Sequence, residues 1–216
     1  MNATQVDAAL RRSGIIAIVR GNFPHETLLR IGEALRKGGV AAVEVTLNSA
    51  GALAGIEALR RHFGEELLVG AGTVRTVADV DAALSAGAAF LVSPNFDPES
   101  VARSRQVGVV HLPGVFTASE AQAAHAAGCR LVKLFPADAL GPVYLRALRA
   151  PLDDVGFVPT GGIDATNLAE YVRAGAAAFG VGGALVRKDE DDIEALATRA
   201  RALVGALRRA REAYGS

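Results

Sequence analysis

Short apolar runs rich in Val, Ile and Leu alternate along the chain with Ala-rich amphipathic stretches of helical length, and the pair recurs about every 20 to 25 residues. The runs read IIAIVRG from Ile15, AAVEVTL from Ala41, LLVGAGTV from Leu67, AFLVSP from Ala89, VVHLPGV from Val109, RLVKLFP from Arg130, GFVPTGG from Gly156 and AAFGVGG from Ala177. Eight strands, each followed by a crossover helix, predict an α/β fold of the (β/α)8 barrel type. A doubly wound open sheet would seldom need the eighth unit. Glycines stand where helices should close, at Gly38, Gly87, Gly108, Gly128 and Gly175. Thr76, Ser119 and Asp164 stand where helices should open. Ahead of the first strand, Gln5 to Arg12 has the pattern of an extra N-terminal helix able to cover one mouth of the barrel. With 216 residues, half of them hydrophobic, the expectation is one domain over residues 1–216.

Strand alternation then sorts polar residues by face, because residues two apart share a side. Packing Val43, Val45 and Leu47 on helices leaves Ala42, Glu44 and Thr46 pointing into the barrel. The same reasoning turns Lys133 inward with Leu131 and Phe135, Arg20 with Ile18 and Ile16, and Thr73 with Ala71 and Val69. One Lys, one Glu, one Arg and one Thr from four strands are thus expected at the C-terminal end, where barrels collect their functional groups. Charges that point into a barrel are costly unless they pair or work.

Lys133 is the most informative of these. The chain has three lysines, Lys37, Lys133 and Lys188; every other fixed cation is Arg, which stays protonated and cannot serve as an amine nucleophile. An unperturbed ammonium, with a pKa near ~10.4, leaves under ~0.1% free amine at neutral pH, so carbonyl attack requires burial or a nearby cation. The apolar neighbours Leu131, Val132, Leu134 and Phe135 can supply the burial. The competing role for Glu44 is to neutralise Lys133 in a buried ion pair.

Two glycine clusters close the last two strands. Thr160-Gly161-Gly162 ends the seventh and Gly182-Gly183-Ala184 the eighth, each expected to lead into a helix start. Such loops let an anion approach the backbone N–H groups, and phosphate-binding barrels use this pair of loops. Gly70-Ala71-Gly72 lacks the third glycine and the acidic residue of a dinucleotide fingerprint.

Composition narrows the ligand class. Acidic and basic residues balance at 23 each, so no net field draws nucleic acid or a membrane surface, and a small-molecule substrate is expected. His25, His62, His111 and His125 show no metal-ligand spacing, Cys129 stands alone, and no metal or other cofactor is expected. The start, MNATQVDAALRRSG, has no apolar signal core, which points to a reducing cytoplasm. Asp189 to Asp192 reads as a solvated acidic run before the last helix.

The segments EVTL, GAGTV, SPNFDPE, LPGVFTASEA, LVKLFPA and FVPTGGI, in this order, resemble the class I 2-keto-3-deoxy-6-phosphogluconate aldolases, a family also active on 4-hydroxy-2-oxoglutarate. The resemblance covers nearly the whole chain. It implies a homotrimeric barrel in which Lys133 forms a Schiff base with the keto acid and Glu44 moves protons. It also places Arg20, Thr73, Pro94 and Phe135 around the pyruvate part of the substrate, and phosphate on Thr160, Gly161, Gly162, Gly182, Gly183 and Ala184. Two positions depart from the pattern. Asn48, in LNS, stands where many members carry Arg and looks more like the phosphogalactonate branch, whereas PTGGI looks more like the phosphogluconate branch. Ala184 replaces a frequent Ser, which removes a hydroxyl donor but keeps the backbone N–H groups. A phosphate-binding isomerase or epimerase, or a non-catalytic binding barrel, are the rival classes; the former would need a carboxylate pair or metal ligands in place of the central lysine.

Overall fold

The computed structural model describes residues 1–214. The apolar runs form parallel strands β1 (Ile15–Val19), β2 (Ala42–Thr46), β3 (Leu68–Gly72), β4 (Phe90–Val92), β5 (Val110–Leu112), β6 (Gly114–Val115), β7 (Leu131–Leu134), β8 (Gly156–Pro159) and β9 (Phe179–Val181). They are buried on both faces, which is why they read as near-continuous β-branched and apolar runs. Six strands pair in the order β5-β4-β3-β2-β1-β9 and three in the order β6-β7-β8. The sequence pattern counts eight strands; the fifth run is split at Pro113, which has no N–H to give a ladder. Its first half pairs with β4 and its second with β7, while the Pro113 carbonyl still accepts from Lys133 N at 2.9 Å. One run therefore passes from one sheet to the other. Opposite, Ala177 N donates to Phe157 O at 2.8 Å and Thr160 bridges Gly180. The result is an α/β fold with a curled parallel sheet.

Two apolar clusters follow the alternation. Inside the curl lie Ile16, Ala42, Leu68, Phe90, Val92, Leu112, Leu131 and Val158, joined by Val6 and Leu10 from α1 (Ala3–Ser13). Gly70 has no side chain because the Phe90 ring occupies its space, 2.5 Å from where a Cβ would stand. Outside, Val43, Val45, Val69, Ala71, Val132, Leu134 and Phe157 pack under the helices α2 (His25–Lys37), α3 (Ala52–Phe63), α4 (Val77–Ser85), α5 (Pro98–Gln106), α6 (Ala118–Ala126), α7 (Gly141–Arg149), α8 (Leu168–Arg173) and α9 (Ile193–Tyr214). Thr76 caps α4, with Asp79 closing the capping box. For α6 the cap is Thr117, not Ser119, because Thr117 has Glu120 three residues on to complete the same box. Gly38 keeps a right-handed backbone after α2, and its neighbour Gly39, at φ 86°, makes the left-handed turn.

His111 points from β5 into the helix layer, where a small polar network receives it. The Ser93 hydroxyl donates to Val74 O and the Ser104 hydroxyl to Ser100 O, and the ring sits between them, Nε2 2.6 Å from Ser93 Oγ and Nδ1 2.9 Å from Ser104 Oγ. Burial lowers the imidazole pKa to about 4. The folded chain thus refuses a proton that the unfolded chain accepts below about pH 6.5. Stability should fall as pH drops from about 6.5 towards 4, by up to about 3 kcal/mol from this group. Urea midpoints measured from pH 7 to 4 should decline less in His111→Asn than in the wild type; parallel declines would remove His111 as a source of acid sensitivity.

Candidate active site

Glu44 is the third residue of β2 and Lys133 the third of β7. In register, Glu44 sits between Ile18 of β1 and Gly70 of β3, and Lys133 between Gly114 of β6 and Val158 of β8. Both side chains face inward, as the alternation requires, and both are buried, Glu44 at 2% and Lys133 at 5% exposure. Gly72 gives the carboxylate room: a Cβ there would stand 2.6 Å from Glu44 Oε1. Among the described residues no ion pair within 4.0 Å engages either group, so a simple neutralising pair does not account for them. Lys133 Nζ instead lies 4.9 Å from the centre of the Phe135 ring.

Burial dominates the proton affinities of both groups. It lowers the pKa of Lys133, opposed by the Glu44 charge and helped by Arg20. It raises that of Glu44, opposed by the charges of Lys133 and Arg20. The pair is driven towards an amine that gives up its proton and a carboxyl that holds one, the combination that nucleophilic attack and proton transfer need near neutral pH.

A cavity of about 340 Å³ opens beside this pair. Arg20, Phe135, Thr160, Gly161, Gly162, Gly182, Gly183 and Ala184, expected from sequence at two ends of one substrate, all line it. Lys133 and Glu44 lie outside its lining, with Phe135 spanning from the cavity to the amine. A larger space of about 640 Å³ sits beside α1, with Val6, Arg12 and Leu68 among its walls, and has none of the chemistry. The loop after β1 is braced by Ser49, whose Oγ accepts from Gly21 N at 3.1 Å and lies 3.0 Å from Thr46 Oγ1. That brace fixes the stretch next to Arg20, and the sequence offers no signal for it beyond its place after a strand.

The structure departs from the sequence pattern at several of these residues. Val69 and Ala71 face the helices, while Leu68, Gly70 and Gly72 face inward, so Thr73 does not share an inner face with Ala71 and Val69. Its backbone is left-handed, at φ 59°, which breaks the alternation at the strand end. The Pro94 carbonyl packs on Gly114, where a Cβ would meet it at 2.2 Å, and so borders the strand that pairs with Lys133. Asn48 is exposed in the turn after β2 and does not line the cavity. The glycine loops do not lead straight into helices. Gly182 to Val186 closes a single turn, with Leu185 N and Val186 N both bonded to Gly182 O, and α9 begins only at Ile193. The acidic run before α9 is not wholly solvated: Glu190 is 4% exposed and bonded to Arg199 and to Arg187 N, so the chain detours to bury it. Asp164 and Lys188 also line the cavity, and neither is marked by a motif.

Residues 6–198 match the family model described as KDPG and KHG aldolase, the phosphogluconate and hydroxyoxoglutarate enzymes named above. The chain belongs to that family. It is accordingly an aldolase, a carbon–carbon lyase. It is 39% identical over 197 residues, 91% of this chain and 95% of the relative, to the 2-dehydro-3-deoxy-6-phosphogalactonate aldolase of Escherichia coli strain K12. It is 42% identical over 165 residues, 76% and 78% of the two chains, to the 2-dehydro-3-deoxy-phosphogluconate aldolase of Treponema pallidum. A crystal structure of the KDPG aldolase of Legionella pneumophila, with pyruvate captured as a covalent carbinolamine intermediate, superposes with a TM-score of 0.83 at 31% identity, covering 91% of this chain and 97% of that one. Among the described residues no helix is long and apolar enough to cross a membrane, and no cluster of His, Cys, Asp and Glu is arranged to hold a metal ion.

The room that Gly72 leaves for the Glu44 carboxylate is testable. Gly72→Ala should push that carboxylate aside and lower kcat by about 10- to 100-fold, the scale expected for a displaced catalytic group. Its melting temperature should fall only modestly, since the added methyl meets the end of the Glu44 side chain and, at 3.1 Å, the Thr46 Cγ2 methyl. Wild-type kcat in Gly72→Ala would show that the position of Glu44 does not matter.

Proposed function

We propose that this aldolase cleaves 2-keto-3-deoxy-6-phosphogluconate to pyruvate and glyceraldehyde 3-phosphate through a Schiff base on Lys133, and also acts on 4-hydroxy-2-oxoglutarate. The observation that carries the reading is a buried Lys and a buried Glu, inward from separate strands and unpaired among the described residues, beside a cavity lined by two glycine loops.

Neutral Lys133 Nζ adds to the C2 carbonyl, giving a carbinolamine. Glu44, acting through a water, supplies the proton with which its hydroxyl leaves as water, and the protonated imine becomes an electron sink. The resulting Glu44 carboxylate takes the proton of the C4 hydroxyl, and the C3–C4 bond breaks. Its electrons pass into an enamine as the aldehyde departs. Glu44 returns the proton to C3, and water then hydrolyses the protonated imine, releasing pyruvate and the free amine while the Glu44 carboxylate takes up the remaining proton. Arg20 pairs with the substrate carboxylate, aided by Thr73, with Pro94 and Phe135 packing the pyruvyl carbons.

Phosphate is placed on the glycine loops. Gly161 and Gly162 have an internal reason to be glycine, since they pack on the Asp138 loop with φ of 100° and 65°. Gly182 and Gly183 have none: their backbones are not left-handed, and a Cβ would meet nothing closer than 3.9 Å. A ligand lying against the backbone supplies the missing reason.

The remaining assignments rest on the resemblance and on supporting features of the chain. The frame is a single (β/α)8 barrel, with β5 and β6 counted as one interrupted strand and the Thr160–Gly180 bridge as the seam. α1 adds Val6 and Leu10 to one end of the interior. A homotrimer would give exposed Phe116 and Val143 a neighbour. Cys129 is buried and free, its thiol pushed up to about 11, which fits a reducing cytoplasm.

A second reading, preference for the phosphogalactonate epimer, is favoured by Asn48 and by the long alignment with the E. coli enzyme. Initial rates on the two C4 epimers and on 4-hydroxy-2-oxoglutarate decide between them, with Lys133→Arg as the control. The phosphogluconate epimer should have the highest kcat/KM, and Lys133→Arg should lose at least about 1,000-fold on every substrate, because a guanidinium cannot form the imine. Activity within tenfold of wild type would refute the Schiff base; a higher kcat/KM on the galactonate epimer would select the second reading.

A further inference from the structure

One cationic residue of the cavity lining has no assigned role. Lys188 lines it together with Thr160, Gly161, Gly162, Gly182 and Gly183, and among the described residues no carboxylate stands within 4.0 Å of its ammonium. Lys37, by contrast, pairs with Glu33 at 3.6 Å. The segment that carries Lys188 is anchored on both sides. Glu190 accepts from Arg187 N at 3.0 Å and from the Arg199 guanidinium, and Arg199 Nε donates to Leu185 O at 3.0 Å, which ties the segment to α9. The Lys188 carbonyl also packs so near Gly21 that a Cβ there would stand 2.9 Å from it. Lys188 is therefore held between the last glycine loop and the loop that follows Arg20.

Charge balance shows what it can do there. The lining holds two cations, Arg20 and Lys188, and one anion, Asp164. Asp164 stays ionised, since it accepts from the Thr166 hydroxyl and from the amides of Thr166 and Asn167, which hold its carboxyl below the usual range. A phosphate monoester carries about −1.5 to −2 at neutral pH. The glycine loops offer it neutral dipoles, Ala184 offers no hydroxyl, and Arg20 is engaged at the carboxylate end of the substrate. A phosphate on these loops would thus face Asp164 with no counter-charge other than Lys188.

We infer that Lys188 supplies the counter-charge for the terminal phosphate of the substrate, and so sets the preference of this site for phosphorylated over unphosphorylated 2-keto acids. The inference rests on the aldolase reading and on the phosphate placement above. A charge-assisted bond of this kind is worth about 10- to 100-fold in affinity.

The test compares wild type, Lys188→Ala and Lys188→Arg on 2-keto-3-deoxy-6-phosphogluconate and on 4-hydroxy-2-oxoglutarate, and measures inhibition by inorganic phosphate. In Lys188→Ala the ratio of kcat/KM between the phosphorylated and unphosphorylated substrates should fall about 10- to 100-fold, chiefly through KM, and phosphate inhibition should weaken in step. Lys188→Arg should recover most of the ratio, as a retained cation would and a merely structural role would not. An unchanged ratio, or equal losses on both substrates, overturns the role of Lys188 while leaving the aldolase reading in place. A wild type that cleaves neither of these substrates nor the phosphogalactonate epimer overturns both.

Discussion

The site depends on keeping an amine and a carboxyl out of water without closing them into a contact ion pair. Lys133 and Glu44 project from β7 and β2 into an interior otherwise filled by Ile, Leu, Val and Phe. Each carries a desolvation cost that a contact ion pair would partly offset, and among the described residues no such pair forms within 4.0 Å. The consequence is chemical: the amine loses proton affinity and the carboxyl gains it, which is what a nucleophile and a proton shuttle require. Stability is spent to hold reactivity, as is usual where an interior charge does work.

Much of the surrounding structure can be understood as support for that arrangement. Gly72 removes the one Cβ that would strike the Glu44 carboxylate, and Phe90 fills the neighbouring space over Gly70. Pro113 breaks the fifth strand, and its carbonyl then holds the backbone of Lys133 itself. Ser49 holds the loop that follows Arg20. The Ser93 hydroxyl, itself bonded to buried His111, grips the Val74 carbonyl next to Thr73, the one described non-glycine residue with a left-handed backbone. Strain at such a position persists only where its surroundings over-determine it, and the hydrogen bonds at Val74 do so.

What the sequence made legible was whatever obeys a period. The βα repeat located the strands, with starts within two residues and ends within three, and alternation placed Glu44 and Lys133 on the inner face, because both lie inside regular β-structure. Reading failed where regular geometry ends. Thr73 follows the last residue of β3 and is not bound by alternation, Pro113 divides a run that composition alone shows as continuous, and Thr117 outcompetes Ser119 by having Glu120 at the right spacing. Glu190 shows the other limit, since its burial depends on Arg199, nine residues further on and on another element, and an acidic run carries no trace of that partner. Lys188 and Asp164 were invisible as cavity residues for the same reason: a loop's path is set by tertiary contacts and not by its own composition.

In the proposed mechanism Lys133 is the amine that becomes covalently bound to the keto acid. The most direct measurement is borohydride reduction of the purified protein in the presence of pyruvate, followed by intact mass and peptide mapping. The account requires one reduced pyruvyl adduct per chain, on the peptide containing Lys133 and on neither Lys37 nor Lys188. A folded protein that turns over substrate yet yields no adduct, or carries it on another lysine, would contradict it.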